Sequence, residues 1–272
     1  MTTPISIIIV GASGKMGQTL IQEILIDKSL SLSAAIDIPS SPLIGHDAGS
    51  FVGIETGVRV SEALSDDDAK SDILIDFTRP EASLNYLDFC IKHKINYVLG
   101  TTGFNEIEKE RIQIAAKKIA ICFAPNMSVG INLLIALVES ATKVLYKEFD
   151  IEIIEAHHRH KVDSPSGTAL RLGEAVAKSA GLTLKENGVF HREGITAQRK
   201  DTDIGFSTIR GGDIVGDHTV LFAGDGERIE LTHKASNRKT FAKGAIRAAK
   251  FINDKTAGLF DILDVLNLKK ID

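Results

Sequence analysis

The segment Glu155-Ala-His-His-Arg-His-Lys-Val-Asp-Ser-Pro-Ser-Gly-Thr168 carries the densest group of reactive side chains in the sequence. Three histidines, one arginine and one lysine occupy positions 157–161. These side chains carry or transfer protons. The turn Ser164-Pro-Ser-Gly-Thr168 is typical of a helix start, with Ser as the cap and Pro at an early position. Backbone N–H groups at such a start, Gly167 and Thr168 here, bind anions such as a carboxylate. Proton-transfer groups beside them indicate a site for an anionic substrate.

The order of the cluster limits which side chains share a site. If 151–158 is a strand, His157 and His158 point to opposite faces, and only one of them readily lines a given cleft. That histidine, His160 and Lys161 can then converge. A zinc site is the alternative, but no Cys or carboxylate pair stands at ligand spacing, and the cationic neighbours oppose a metal ion. We therefore expect no metal.

A glycine-rich turn near the start of the sequence predicts a dinucleotide site. Gly11-Ala-Ser-Gly-Lys-Met-Gly17 follows the apolar run Ile5–Val10 and precedes a helical pattern over Gln18–Ile26. The glycines allow a tight turn and let the backbone approach a pyrophosphate at the helix start. Asp37 closes the second predicted strand, at the place where an acid accepts hydrogen bonds from ribose hydroxyls.

The residues after Asp37 bear on the choice of coenzyme. Ile38 and Pro39 follow it, so no adjacent cation meets the 2′-phosphate of NADPH. Lys15 in the glycine turn offers a partial substitute. We expect NADH to be accepted at least as well as NADPH.

Three further loops fall directly after predicted strands: Thr78-Arg79-Pro80, Gly100-Thr-Thr-Gly103 and Ala124-Pro-Asn126. Ligands of open α/β sheets bind at the carboxyl ends of the strands. We expect these loops to surround the nicotinamide, although each alone is also typical of an ordinary turn.

The pattern of elements predicts an α/β fold with two domains. Strand, short glycine-containing loop and helix alternate at least four times before Asn126, which favours a Rossmann-type parallel sheet. Later segments near 204–210, 218–223 and 227–233 resemble hairpin strands and indicate a second α+β domain with a mixed or antiparallel sheet. We expect a dinucleotide-binding domain over 1–127, a second domain over 128–237, and residues 238–272 packing back on the first. The last of these include an amphipathic helix over Phe241–Ile252 and a short helix over 259–268.

Bulk properties exclude several functional classes. Hydrophobic residues make up 43% and charged residues 25%, as in ordinary globular proteins, and the net charge of −4 offers no general attraction to nucleic acid or anionic membrane. Cys90 and Cys122 lie in apolar stretches and are predicted to be buried thiols. No apolar run reaches membrane-spanning length and no leader pattern precedes the first strand, so we expect a cytoplasmic protein.

The sequence resembles the dihydrodipicolinate reductase family, also called 4-hydroxy-tetrahydrodipicolinate reductases, along nearly its whole length. Five motifs carry the resemblance: Val10-Gly-Ala-Ser-Gly-Lys-Met-Gly17, Asp76-Phe-Thr-Arg-Pro80, Gly100-Thr-Thr-Gly103, the 155–168 segment and Arg210-Gly-Gly-Asp-Ile-Val-Gly216. The 155–168 string is highly specific. The resemblance implies NADH- or NADPH-dependent reduction of a cyclic imine dicarboxylate at C4, with loss of water, in lysine and diaminopimelate biosynthesis. It also implies a homotetramer whose second domain supplies substrate binding and subunit contacts.

The resemblance assigns roles to individual residues. It implies that His157 is the acid/base and Lys161 the proton donor, and that His158, Gly167 and Thr168 bind substrate. It places the coenzyme on Gly11, Ala12, Ser13, Gly14, Lys15, Met16, Asp37, Gly100, Thr101, Thr102, Ala124, Pro125, Asn126 and Met127.

One departure and several open roles remain. Many members of the family carry a basic residue after the acid of the second strand, where this chain has Ile38, which puts a strong preference for NADPH in doubt. Two interpretations stay open for His218 and His233, which either line the site or fill the sheet, and the role of His160 is also open. The competing functions are an oxidoreductase acting on another amino-acid intermediate and a catalytically silent NAD-binding sensor.

Overall fold

The computed structural model describes residues 3–268. The outermost parts of the predicted segments 1–127 and 238–272 therefore lie outside the described residues. Within the described chain, unit 1 comprises residues 3–129 and 238–268, and unit 2 comprises Gly130–Asn237. Each unit has its own sheet.

Unit 1 is built on a seven-stranded parallel sheet with the order β12-β6-β5-β4-β1-β2-β3. Numbered along the whole chain, its strands are β1 (Ile5–Val10), β2 (Leu30–Ile36), β3 (Val60–Ser61), β4 (Ile73–Asp76), β5 (Asn96–Leu99), β6 (Ala120–Phe123) and β12 (Gly258–Phe260). The order of strands reverses between β1 and β4, which pair directly. Open α/β sheets bind ligands at such a reversal.

Helices cover both faces of this sheet. They are α1 (Lys15–Ile26), α2 (Pro80–His93), α3 (Glu106–Ala115), α7 (Lys239–Ile252) and α8 (Ile262–Leu266). Alternate residues of β1 enter different cores: Ile7 and Ile9 pack with α1 and α7, whereas Ile8 packs with α2 and α3. A strand buried on both faces needs an apolar residue at every position, which explains the unbroken run in the sequence.

Unit 2 contains a five-stranded mixed sheet with the order β11-β10-β7-β9-β8. Its elements are α4 (Val129–Leu145), β7 (Asp150–His157), α5 (Gly167–Ala180), α6 (Leu184–Asn187), β8 (Gly188–Val189), β9 (Ile204–Arg210), β10 (Gly216–Ala223) and β11 (Arg228–Ala235). Strand β7 is parallel to β9 and antiparallel to β10. Apolar residues of α4 and α5 share one core with the inward side chains of the sheet. The predicted fold class, a Rossmann-type parallel sheet with a second mixed-sheet α+β domain, is confirmed.

Two details of the predicted elements were wrong. Of the three segments predicted as hairpin strands, β10 and β11 form a hairpin with each other, whereas β9 pairs in parallel with β7. The segment predicted as one helix over 259–268 begins with an edge strand, β12, and the helix that follows is the short α8. Both cysteines are buried, as predicted.

Between residues 3 and 268, no helix combines the length and apolarity that crossing a bilayer requires. Within the same residues, no group of three or more His, Cys, Asp and Glu side chains is arranged to hold a metal ion.

Candidate functional site

The turn between β1 and α1 has the shape of a phosphate-binding loop. Gly11 has a φ of +72°, a left-handed conformation that favours glycine. A Cβ on Gly17 would lie 2.2 Å from the carbonyl oxygen of Gly11, so any larger residue would push the helix off the strand. Helix α1 begins at Lys15, earlier than the predicted Gln18–Ile26, and its N-cap Gly14 supplies no side chain to the first turn. The start of the helix is therefore left for a ligand, as a pyrophosphate requires.

Asp37 lies beside this turn. Its Oδ2 accepts a hydrogen bond of 2.7 Å from the backbone N–H of Ser13, and its Oδ1 accepts one of 2.8 Å from Ile38. Burial acts to raise the pKa of Asp37, but the hydrogen bonds from Ser13 and Ile38 outweigh it and hold the pKa below its usual value. The carboxylate is thus an ionised acceptor held against the glycine turn.

The other predicted coenzyme loops follow β4, β5 and β6 at the same edge of the sheet. The turn after β1 and the loop after β4 touch, since a Cβ on Gly11 would lie 3.0 Å from Cγ2 of Thr78. A Cβ on Gly100 would lie 2.2 Å from the ring of Phe77, which brings the loop after β5 against the same region. The residues present fit a dinucleotide: a glycine cradle, a helix start and an ionised acid at one sheet edge.

The predicted coenzyme residues differ in what their side chains can reach. Those at least partly exposed are Gly11, Ser13, Gly14, Lys15, Met16, Gly100, Thr102, Pro125 and Asn126. Those buried are Ala12, Asp37, Thr101, Ala124 and Met127. Apart from Asp37, the buried residues pack inward, so we expect them to meet a ligand through backbone atoms.

The 155–161 segment begins with the last inward-facing residues of β7 in unit 2 and then leaves the strand. Ile151 and Ile153 are buried on the core face, and at the same alternation Glu155 and His157 are buried next. Near its carboxyl end the inward row of this strand therefore changes from apolar residues to two ionisable ones, Glu155 and His157. His158 follows the strand.

Glu155 and His157 form a close pair. His157 Nδ1 lies 2.6 Å from Glu155 Oε2, and the Glu155 side chain is only 1% exposed. Arg210, at the end of β9, approaches both carboxylate oxygens of Glu155 at 2.8 Å. Burial acts to raise the pKa of Glu155, but the hydrogen bonds from Arg210, His157 and Ser166 hold it below its usual value.

The start of helix α5 is tied to the same carboxylate. The backbone N–H of Ser166 donates to Oε1 of Glu155 at 3.0 Å, and the Ser166 hydroxyl accepts from the backbone N–H of Ala169 as the N-cap. Pro165 precedes this cap, so the prediction of Pro at an early helical position was wrong. Gly167 is the first helical residue and is exposed, with open space around its Cα.

His218, whose role the sequence left open, lies inside this cluster. Its Nε2 is 3.2 Å from the Ser166 hydroxyl, and its ring meets that of His157 edge to face at 5.0 Å between centroids. Burial, followed by the charge of His157, lowers the pKa of His218 to about 4. His218 is therefore neutral near pH 7. His233 lies opposite His218 on β11 and packs against Gly130, where an added Cβ would lie 2.5 Å from its ring.

The remaining cations lie on the loop after β7. Lys161 Nζ lies 2.9 Å from Oδ1 of Asp163, and the hydrogen bond from Lys161 lowers the pKa of that carboxyl. The rings of His158 and His160 are 6.2 Å apart, and His158 Nδ1 is buried with no hydrogen-bond partner among residues 3–268. The structure thus joins His157 to the start of α5, while Lys161 pairs with its own loop.

Sequence reasoning did not single out Glu155, Ser166, His218 or Arg210 as parts of this network. Glu155 had a usable signal, because it precedes His157 by two positions in a strand and must share its face. No local sequence signal links Arg210 to Glu155, since their contact spans 55 positions and depends on the parallel pairing of β9 with β7.

Comparison with known proteins identifies the family. The models for the N-terminus and C-terminus of dihydrodipicolinate reductase match residues 5–127 and 130–266. The chain belongs to the dihydrodipicolinate reductase family. It is 53% identical over 265 residues to the 4-hydroxy-tetrahydrodipicolinate reductase of Thiobacillus denitrificans, covering 97% of this chain and 99% of that protein. It is 54% identical over 267 residues to the enzyme of the same name from Nitrosomonas eutropha, covering 98% and 100%.

The fold of this family is also found among solved structures. Dipicolinate-bound dihydrodipicolinate reductase from Paenisporosarcina sp. TG-14 superposes with a TM-score of 0.76 at 23% identity, covering 96% of this chain and 99% of that one. The resemblance to the dihydrodipicolinate reductase family predicted from the sequence is confirmed.

Proposed function

We propose that this chain reduces 4-hydroxy-tetrahydrodipicolinate to tetrahydrodipicolinate in lysine and diaminopimelate biosynthesis, using a pyridine nucleotide. The observation that carries the proposal is 53% identity with a reductase of that name across 97% of the chain. The reaction adds a hydride at C4 and a proton, and the hydroxyl leaves as water. It thus requires a nucleotide site, a dicarboxylate site and a proton donor.

Unit 1 holds the nucleotide. The turn Gly11–Met16 and the start of α1 receive the pyrophosphate, Asp37 receives ribose hydroxyls, and the loops containing Gly100–Thr102 and Ala124–Met127 border the nicotinamide. Bound NADH or NADPH supplies the hydride. Asp37 favours a free 2′-hydroxyl, and Ile38 next to it is an exposed apolar residue instead of a cation. NADH is therefore accepted at least as well as NADPH.

Unit 2 holds the dicarboxylate and moves the proton. The first turn of α5, at Gly167 and Thr168, binds a carboxylate through backbone N–H groups, and His158 adds a further contact. His157 acts as the acid/base. Lys161, whose side chain is 21% exposed, is the proton donor. A cationic surround suits a substrate that carries two negative charges.

The oligomer we propose is a homotetramer in the cytoplasm. Helices α4 and α5 cover one face of the unit 2 sheet, and the opposite face presents Ile154, Ile209 and Leu221, of which Ile209 is 51% exposed. Exposed apolar side chains on the face of a sheet are typical of a subunit contact. This support is independent of the residues assigned to the reaction.

Turnover with enzymatically generated substrate tests the function. Pyruvate and aspartate semialdehyde are supplied with the synthase that precedes this step, and oxidation of NADH and of NADPH is followed separately. We expect turnover that depends on the synthase, with the NADH rate at least equal to the NADPH rate. No turnover with either coenzyme, from protein that binds NADH, would favour another substrate or a silent sensor.

A thermal-shift measurement tests substrate binding without catalysis. Pyridine-2,6-dicarboxylate is expected to raise the melting temperature, and to raise it more when NADH is present. Absence of a shift with pyridine-2,6-dicarboxylate, both alone and with NADH, would contradict the dicarboxylate site.

A further inference from the structure

Glu155 is a buried carboxylate that follows apolar core residues along its strand. Its side chain is 1% exposed and lies in the same inward row of β7 as Ile151 and Ile153. A buried ionised carboxylate costs several kcal/mol unless hydrogen bonds and charges compensate it. An apolar residue at this position would be buried at a lower cost in free energy. Packing alone therefore does not explain the carboxylate at Glu155.

All of the acceptor sites of this carboxylate are used. Oε1 receives the backbone N–H of Ser166 at 3.0 Å and Arg210 Nη2 at 2.8 Å. Oε2 receives Arg210 Nη1 at 2.8 Å and lies 2.6 Å from His157 Nδ1. Two donors on each oxygen leave no free lone-pair direction and fix the carboxylate in one orientation.

This geometry determines which nitrogen of His157 carries the proton. An ionised carboxylate is an acceptor only, so Nδ1 must donate to it, and Nε2 of the neutral ring is left with its lone pair. Nε2 faces Gly216, where an added Cβ would lie 3.0 Å away. The nitrogen free to exchange a proton with a ligand is therefore Nε2.

The same carboxylate reaches the start of α5 through Ser166, which immediately precedes Gly167. His157 and the first turn of α5 are thus held by one side chain. Arg210 also donates to the backbone carbonyl of Asp163 at 2.7 Å and so anchors the connecting loop.

We propose that Glu155 is a positioning residue that sets the tautomer of His157 and aligns it with the helix start that binds the substrate carboxylate. This inference rests on the proposed function for its effect on rate, but its effect on the imidazole is independent of any activity. A Glu155–Arg210 pair that served stability alone would leave the tautomer and the rate of the folded enzyme unchanged.

Glu155→Gln separates the two roles. An amide oxygen placed at Oε1 keeps the bonds from the Ser166 N–H and from Arg210 Nη2. The NH₂ group then takes the Oε2 position, where Arg210 Nη1 loses this acceptor. There the NH₂ group donates to Nδ1 and moves the imidazole proton to Nε2. We expect kcat to fall by on the order of 10²-fold or more, as for a misplaced general acid/base, with KM for the dicarboxylate within about threefold.

Glu152→Gln is the matched control. Glu152 lies on the same strand, faces the opposite side of the sheet, and makes a bidentate ion pair with Arg192 at 2.9 Å. It tests loss of an ion pair in the same element, and we expect kcat and the His157 tautomer to stay as in the unsubstituted enzyme.

The decisive readout is ¹⁵N NMR of the His157 ring at a pH where the ring is neutral. The unsubstituted protein is expected to show the Nδ1–H tautomer, and Glu155→Gln the Nε2–H tautomer. An Nε2–H tautomer in the unsubstituted protein would overturn the proposal, whether or not the variant folds. A folded Glu155→Gln enzyme with unchanged kcat would also overturn it. Failure of the proposed function would appear separately, as absence of turnover in the unsubstituted protein.

Discussion

The Tyr97 hydroxyl donates a 2.5 Å hydrogen bond to Oδ2 of Asp76, and both side chains are fully buried in unit 1. Oδ1 of Asp76 accepts from the backbone N–H of Thr78 at 2.7 Å and from the Thr101 hydroxyl at 3.2 Å. Burial, and then the charge of Asp76, raise the pKa of Tyr97 well above its usual value, so the hydroxyl stays a donor. One buried carboxylate therefore joins the loops after β4 and β5, both assigned here to the nucleotide.

Tyr97→Phe removes this donor and leaves Asp76 partly unpaired. Because a hydrogen bond to a buried charge contributes about 1.5–3 kcal/mol, we expect the free energy of unfolding to fall by that amount and NADH to bind more weakly. Urea titration and NADH fluorescence measure the two effects. Tyr86→Phe is the control, since its half-buried hydroxyl makes no hydrogen bond within the described part of the chain. Equal losses in the two variants would show that the Asp76 contact contributes nothing specific.

Local patterns predicted most of unit 1. The run Ile5–Val10 was found at its observed position, because burial on both faces leaves a mark in adjacent residues. Strand β12 was missed. Its three residues owe their extended form to pairing with β6, whereas the apolar spacing of the segment around Ile262 favours a helix.

The site was predicted in its chemistry but not in its connections. The glycine turn, Asp37 and the 155–168 segment could be found because each is a contiguous motif. The role of the carboxylate that joins His157 to helix α5 was not assigned, since its partner Arg210 comes from β9, whose place beside β7 only the folded sheet defines.

Asp37→Ala tests the ribose assignment. Loss of the carboxylate removes the acceptor for a free 2′-hydroxyl and also the 2.7 Å bond to the Ser13 N–H, so binding of both coenzymes should weaken somewhat. The loss should be larger for NADH, by about tenfold or more, because removing a negative charge favours the 2′-phosphate of NADPH. Dissociation constants from fluorescence titration measure it. Equal losses would contradict contact between Asp37 and the ribose.

Lys161→Ala tests the proton donor. We expect kcat to fall by roughly 10²- to 10⁴-fold, the range typical of a general acid. The pKa of Asp163 should rise toward its ordinary value at the same time, because its largest stabilising hydrogen bond is lost. Steady-state kinetics measure the rate and NMR titration the carboxyl. Lys178→Ala, an exposed lysine on α5, is the control and should keep full activity. A Lys161→Ala rate within a factor of a few would remove Lys161 from the mechanism.

His157→Gln separates the two units. The side chain belongs to unit 2, whereas the residues assigned to the nucleotide lie in unit 1. We therefore expect kcat to fall by roughly 10²- to 10⁴-fold while the dissociation constant for NADH changes by less than about threefold. Stopped-flow turnover and NADH titration give the two quantities. Loss of NADH binding in this variant would show that the nucleotide residues were wrongly assigned.

His218 gives unit 2 a defined dependence on pH. Its pKa is about 4 in the folded protein and 6.5 for an unperturbed histidine, so between these values the unfolded chain binds a proton that the folded one does not. The contribution of the neutral His218 ring to the free energy of unfolding is therefore fully present above pH 6.5. It is lost as the pH drops toward 4, which lowers the free energy of unfolding by on the order of 3 kcal/mol. The pKa of His218 is also lowered by the charges of His157, His233 and Lys161. The charge of Glu155 acts to raise it.

His218→Gln removes the titrating ring, while its amide can still bond to Ser166, so we expect the decline between pH 6.5 and 4 to become shallower. Urea unfolding at several pH values measures it. His191→Gln, which removes a histidine whose side chain is 77% exposed, should retain the original slope. Glu155, whose pKa is lowered from 4.5, starts to lose its contribution only below that pH, so it does not produce a decline that begins at pH 6.5. An unchanged slope in His218→Gln would mean that His218 has the same pKa in the folded and unfolded chain, and the lowered pKa inferred for this ring beside His157 would be wrong.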